Sequence, residues 1–200
     1  MKITCEKIGI LALFLLLSML LPQLAVSETS ALTLRDRERG TSVELMYPDG
    51  IAGDTDFLTY YNERYGYFIN IPHKVFTKVV VLPENGDGLI LESKDGKARF
   101  RASGGLAEFV DGDLGDSYNQ AIEALGGTNT FTYIDINRDE GSWELTWWEG
   151  NVFHHRRFIM NEEIWCDCEI SYESVPREDV YDPLSDLRFD SVRSLAIAVG

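Results

Sequence analysis

Two cysteines one residue apart head the chemical inventory of this chain. In Ile164-Trp165-Cys166-Asp167-Cys168-Glu169-Ile170 residue character alternates with the period of a strand. Ile164, Cys166, Cys168 and Ile170 therefore share one face, and Trp165, Asp167 and Glu169 the other. Thiols two apart on an extended strand have Cα atoms ~6.5–7 Å apart, near or past the upper limit for an unstrained disulfide. Three chemistries are open to such a pair: buried free thiols acting as small hydrophobes, a strained redox-active bridge, or two ligands for a soft metal. The flanking isoleucines favour the first.

A metal site needs further ligands, and His154-His155 on the preceding strand supplies the nearest candidates. Adjacent strand residues face opposite sides, so only one of the two can join. A two-residue loop within Asn161–Glu163 sets His155 opposite Cys168 and Arg157 opposite Cys166. A three-residue loop sets Arg156 opposite Cys168 and Phe158 opposite Cys166. Cys166, Cys168 and His155 are thus the candidate metal ligands, suited to zinc or copper(I). A fourth ligand is missing, and Arg156 and Arg157 oppose a bound cation. No cofactor is otherwise expected.

The remaining motifs carry less. Asp135-x-Asn137-x-Asp139 has the opening spacing of a calcium loop, but Glu140 stands where the turn needs glycine and Thr146 where a bidentate glutamate belongs. Asp111-x-Asp113 fails likewise. No nucleophile elbow, zinc-protease helix or phosphate-cradling glycine loop occurs, so no catalytic residue is nominated. Trp143, Leu145 and Trp147 alternate onto one face of a strand and are read as core beneath a helix. Trp148 falls on the other face, where an exposed tryptophan would serve as a partner-binding residue.

The elements that must position these side chains are legible from period and punctuation. Tyr67–Ile71 and Val79–Leu82 read as strands, each stopped by a proline. Asp95-Gly96 marks a hairpin between Leu89–Leu91 and Lys97–Ala102. A helix is expected with Asp116 as its cap, with Tyr118, Ala121, Ile122 and Leu125 on one face, ending at Gly126-Gly127. Four β-rich runs follow as an antiparallel meander: Thr130–Asn137, Ser142–Glu149, Val152–Met160 and Ile164–Tyr172. A last helix opens at Asp182-Pro183 and places Leu184, Leu187, Ser191, Val192 and Leu195 on one side. Together these give an α+β fold, an antiparallel sheet with amphipathic helices packed on it.

The first 27 residues have a different character. Lys2 and Lys7 precede an apolar run at Ile8–Leu21, and Ala25-Val26-Ser27 offers a small-x-small cleavage pattern. The run is about 14 residues, short of the ~20 that span a bilayer, so it reads as a cleaved signal peptide. The protein is expected to be exported to the periplasm or beyond. Cleavage removes Lys2, Lys7 and Glu6 and takes the net charge from −15 to −16, which argues against nucleic acid or an anionic membrane as a partner. Residues 28–58 read as a tether with one edge strand at Val43–Tyr47, and residues 59–200 as a single α+β domain.

The stretch Tyr61-Asn62-Glu63-Arg64-Tyr65-Gly66-Tyr67-Phe68-Ile69-Asn70-Ile71-Pro72 resembles the opening strand of PsbP-like domains. The later order is similar too: a hairpin at Asp95-Gly96-Lys97-Ala98, a helix, a four-strand meander and a closing helix, over residues 59–196. The resemblance implies an α/β/α sandwich around a central antiparallel sheet, an accessory or binding role, and no family-wide catalytic residue. The expectation is therefore a non-enzymatic module of the cell envelope that binds a protein or another envelope component. The alternatives are a thiol or metal protein built on Cys166 and Cys168, and a carboxylate-dependent hydrolase.

Overall fold

The computed structural model describes residues 31–36, 38–48, 53–126, 131–173 and 184–198. The expected signal peptide at 1–27, the expected turn residue Gly127 and the expected helix start at Asp182-Pro183 lie outside the described residues. In chain order the elements are β1 (Ala31–Arg35), β2 (Ser42–Met46), β3 (Leu58–Asn62), β4 (Tyr67–Ile71), β5 (Phe76–Val81), β6 (Gly88–Ser93), β7 (Ala98–Leu106), α1 (Leu114–Ala124), β8 (Phe131–Asn137), β9 (Ser142–Glu149), β10 (Val152–Met160), β11 (Ile164–Glu173), α2 (Ser185–Arg193) and β12 (Ala196–Ile197). A short 3₁₀ turn at Ala107–Phe109 leads from β7 towards α1.

The strands pair antiparallel into two sheets, a five-stranded one of order β1-β2-β3-β4-β12 and a seven-stranded one of order β5-β6-β7-β11-β10-β9-β8. The meander predicted from Thr130 onward forms β8 to β11. Its turns are fixed by glycine: Gly141 has φ 62°, and a Cβ there would lie 2.4 Å from the Met160 carbonyl oxygen, so any side chain would pry β9 from β10.

Two apolar layers result. Between the sheets, Tyr67, Ile69 and Ile71 of β4 meet Phe100 of β7, Ile170 of β11 and Val192 of α2. On the far side of the larger sheet, Ala121 and Ile122 of α1 cover Trp143, Leu145 and Trp147 of β9. Each fully buried large side chain contributes ~1.5–3 kcal/mol, and period-two alternation lets one strand feed both layers. The expected α+β sandwich is present. Opposite α1 its outer layer is a second sheet together with α2.

Two local expectations change. The N-cap of α1 is Asp113 in place of Asp116: Asp113 Oδ1 accepts from the Asp116 N–H and Asp116 Oδ2 accepts from the Asp113 N–H, each at 3.0 Å. Both carboxylates belong to one capping box, so the helix starts a turn earlier. Where one edge strand was expected before Leu58, two form, β1 and β2, with Leu34 opposite Val43. Asp36 closes their hairpin by accepting from the Glu38 and Arg39 N–H groups and pairing with the Arg39 guanidinium at 2.9 Å. Leu45 of β2 reaches the core and is fully buried. Among the described residues no helix is long and apolar enough to cross a membrane.

Candidate functional site

β11 lies inside the larger sheet, between β7 and β10, and its two faces enter the two apolar layers. Cys166 and Cys168 face the second sheet, and both are free and fully buried. Burial, with a smaller push from Asp167, raises the Cys166 thiol to about 12. Burial likewise raises Cys168 well above its ordinary value, so both hold their protons at neutral pH. The Cys168 thiol points to the Val192 carbonyl oxygen at 3.7 Å, linking β11 to α2.

The β10–β11 register answers the question of the histidine. Asn161 N–H donates to the Ile164 carbonyl at 3.0 Å, so the turn closes on Glu162 and Glu163. Both N–H groups of Glu163 and Ile164 donate to Asn161 Oδ1. Pairing is therefore shifted by one from the three-residue alternative and by two from the two-residue one: Arg157 lies opposite Cys168, Ile159 opposite Cys166, and His155 opposite Ile170. An Asx turn at Asn161 sets this register. Among the described residues no group of three His, Cys, Asp or Glu side chains has the spacing to hold a metal ion.

His155 instead turns to β9, where its Nε2 lies 2.8 Å from Glu144 Oε1. Arg193 of α2 donates through Nε to both Glu144 oxygens at 3.2 Å, and Arg157 Nη1 is 3.7 Å away. Burial works to raise the Glu144 carboxyl, but His155 and Arg193 overcome it and hold the group below the usual range. Burial lowers His155, outweighing the pull of Glu144, and Arg188 and Arg193 add to the lowering. The ring, 0% exposed, is closed off by Phe189 at 4.9 Å. His155 and Glu144 thus pin α2 to the sheet from beneath.

The other face of β11 is built differently. Asp167, 2% exposed, sits between two guanidiniums. Arg156 of β10 reaches it through Nε at 3.0 and 3.2 Å and Nη2 at 2.6 Å. Arg101 of β7 donates from Nη2 at 2.9 Å and continues to Glu169 Oε2 at 3.4 Å. Glu169 then contacts His154 Nδ1 at 2.9 Å, and the His154 ring stacks on Trp147 at 4.7 Å. Burial would raise the Asp167 carboxyl; Arg156 and Arg101 reverse that and keep it below its ordinary value. Burial opposes the charge on Arg101, and Asp167 and Glu169 more than restore it.

Beside this network stands an aromatic row. Trp143 stacks on Phe158 at 5.2 Å, Phe158 on Trp165 at 6.0 Å, and the Arg156 guanidinium lies over Trp143 at 5.1 Å. Trp143 Nε1–H donates to Ser117 Oγ at 3.0 Å, tying the row to α1. Trp165 lies over its register partner Gly105, where a Cβ would come within 2.7 Å of the indole nitrogen. The row and the two arginines line a cleft of about 480 Å³. Phe109, 76% exposed, and the exposed Asp111 and Gln120 form its outer edge. Such a site has shape, apolar surface and oriented charge.

Of the residues singled out from sequence, Cys166, Cys168 and His155 share the inter-sheet face. Trp148 is half-buried on that face, edge-on to Phe153 at 5.0 Å. Arg101, Asp167 and Trp165 carry no role in the sequence reading, and Arg156 enters it only as an obstacle to a bound cation. Their signal is present: Arg99-x-Arg101 and Asp167-x-Glu169 put two like charges on one face of strands long enough to be central, one strand basic and the other acidic.

No protein-family model and no curated protein matches the chain. Its fold is similar to the solution structure of cyanobacterial PsbP (CyanoP) from Synechocystis sp. PCC 6803, with a TM-score of 0.50, 10% sequence identity, and coverage of 74% of this chain and 96% of that one. At this identity the likeness is one of fold, and it agrees with the architecture implied by the Tyr61–Pro72 stretch.

Proposed function

We propose that this chain is an exported, non-enzymatic accessory module that binds a protein or another component of the cell envelope through the cleft beside α1. One observation carries the reading: the deeply buried Asp167 is held between Arg101 and Arg156 at the floor of a solvent-open cleft with an aromatic wall. A sheet face under a helix is ordinarily apolar, and a buried ion pair there is often no more stable than packed hydrocarbon. Its presence beside tryptophans matches the residue types that dominate binding hot spots, Trp and Arg. The PsbP-like architecture supports the accessory role, and the apolar segment before Ser27 supports export.

A hydrolytic role has weaker support. The two histidine–carboxylate contacts, His155–Glu144 and His154–Glu169, have no hydroxyl or thiol within hydrogen-bonding distance of either ring among the described residues, so no nucleophile is paired with a base.

The test is capture from envelope extract on immobilised wild type, Phe109→Ser and Tyr61→Ser, the last on the five-stranded sheet. Wild type and Tyr61→Ser should retain the same component and Phe109→Ser should lose it. Equal retention by all three overturns the cleft as the binding surface. Mass analysis of the exported protein checks the compartment, with a chain beginning at Glu28 expected.

A further inference from the structure

Resting on the cleft as the binding surface, we infer that it takes a single carboxylate carried on a planar apolar group. That chemistry is shared by a free aromatic acid and by a polypeptide ending in an aromatic residue.

At the floor of the cleft the unfilled hydrogen-bonding capacity is donor capacity, the Asp111 carboxylate, free among the described residues, standing apart at the rim. Both Asp167 oxygens are occupied, Oδ1 by Arg156 and Oδ2 by Arg156 and Arg101. The carboxylate is therefore spent and offers little to a cation. Each guanidinium carries five N–H donors. Arg156 uses Nε and Nη2, and Arg101 uses Nη1 on Ser103 and Nη2 on the carboxylates. Among the described residues Arg156 Nη1 and Arg101 Nε make no hydrogen bond, and both side chains are part-exposed in the cleft wall. Their orientation is fixed by Asp167, so an incoming acceptor orders neither of them; that is preorganisation for a planar acceptor such as a carboxylate.

The apolar half of the ligand follows from the wall. Trp143, Phe158 and Trp165 stand as a parallel row next to the donors, and Phe109 projects from the rim. Trp143 and Phe158 are buried within the row, so a flat apolar group covers the part-exposed Trp165 at its end and Phe109 at the rim while its carboxylate reaches Arg156. The cleft volume of about 480 Å³ falls within the roughly 300–1,000 Å³ of small-ligand sites. Asp111 at the rim sets the charge limit. It repels a second negative charge, as does the chain's net charge of −15, so a monoanion is selected over a phosphate dianion.

The experiment follows the indole N–H resonances of Trp143 and Trp165 in the exported protein during titration. The probes are 3-phenylpropionate, its neutral analogue 3-phenylpropionamide, and a short peptide ending in Phe with a free or an amidated terminus. The acids should shift both signals saturably, with the amides weaker by roughly tenfold or more. Arg156→Gln should weaken acid binding by about tenfold. Asp111→Asn, at an exposed position, should strengthen it by about threefold. Tighter binding of the free-ended peptide than of 3-phenylpropionate points to a polypeptide terminus, and equal binding to a small acid. Amides that bind as well as acids, or an Asp111→Asn variant that binds acids no better, overturn the inference. Absence of any shift overturns it too, and if Phe109→Ser still abolishes envelope capture, the cleft survives as a binding surface for another ligand.

Discussion

Cys166 and Cys168 leave one face of β11 and Asp167 and Glu169 the other, a strand's thickness apart; burial pushes all four towards holding a proton, with opposite outcomes on the two faces. At the two thiols burial meets no counter-charge strong enough to offset it, so they stay protonated, although Glu144 on the same face keeps its charge through His155 and Arg193. On the carboxylate face burial meets two guanidiniums, and the charge survives. The thiol face is closed by a second sheet, whereas the carboxylate face opens into a cleft. Burial alone is thus a poor guide to chemistry; what matters is whether a buried group keeps its charge and a route to solvent.

The largest effect should come from Asp167→Ala, which strands Arg101 and Arg156 without their shared partner. A loss of about 3–5 kcal/mol is expected in chemical denaturation, the cost of breaking a buried pair from one side. Cys166→Ala, one residue away on the other face, should cost only about 1 kcal/mol. Equal losses would break the contrast between the faces.

Acid should separate the two networks by pH. His155 is held below its ordinary value, so below about pH 6.5 the unfolded chain binds more protons than the folded one and stability falls with pH. His155→Gln should abolish that first decline. Asp167, Glu169 and Glu144 are also held low; their contribution is full above about pH 4 and is lost as pH falls further. Denaturation midpoints across pH 3–8 should therefore show two declines in wild type and one in the variant.

A thiol reagent sharpens the contrast further. In the native protein Cys166 and Cys168 should remain unmodified over hours and react fully on unfolding, since reactivity follows accessible thiolate. Rapid native labelling would mean that the thiol face opens. The smallest effect on stability belongs to Phe109→Ser, expected within about 0.5 kcal/mol of wild type although it removes the rim of the cleft.

Much of this architecture is legible locally. Ser142–Glu149 and Val152–Met160 end where predicted because Gly141 and Gly150, both at φ 62°, punctuate the chain. The amphipathic face of α1 follows from its spacing even though its cap does not, since Asp113 and Asp116 are both competent caps. The cleft is less legible because it depends on β7 pairing with β11, strands far apart in sequence whose adjacency no local pattern encodes. Without it Arg101 and Asp167 are unrelated residues. The neighbours of His155 are hidden for a subtler reason: an Asx turn at Asn161 sets the register, and a shift of one or two residues changes every cross-strand neighbour.

The most direct test of the central claim places a photoreactive phenylalanine analogue at position 109, at the cleft rim, and in a second protein at position 61, on the five-stranded sheet, each expressed in the native cell. Irradiation should give a discrete adduct from position 109 and none from position 61. An adduct from position 61 alone, or the same adducts from both, would contradict the assignment of binding to the carboxylate face of β11.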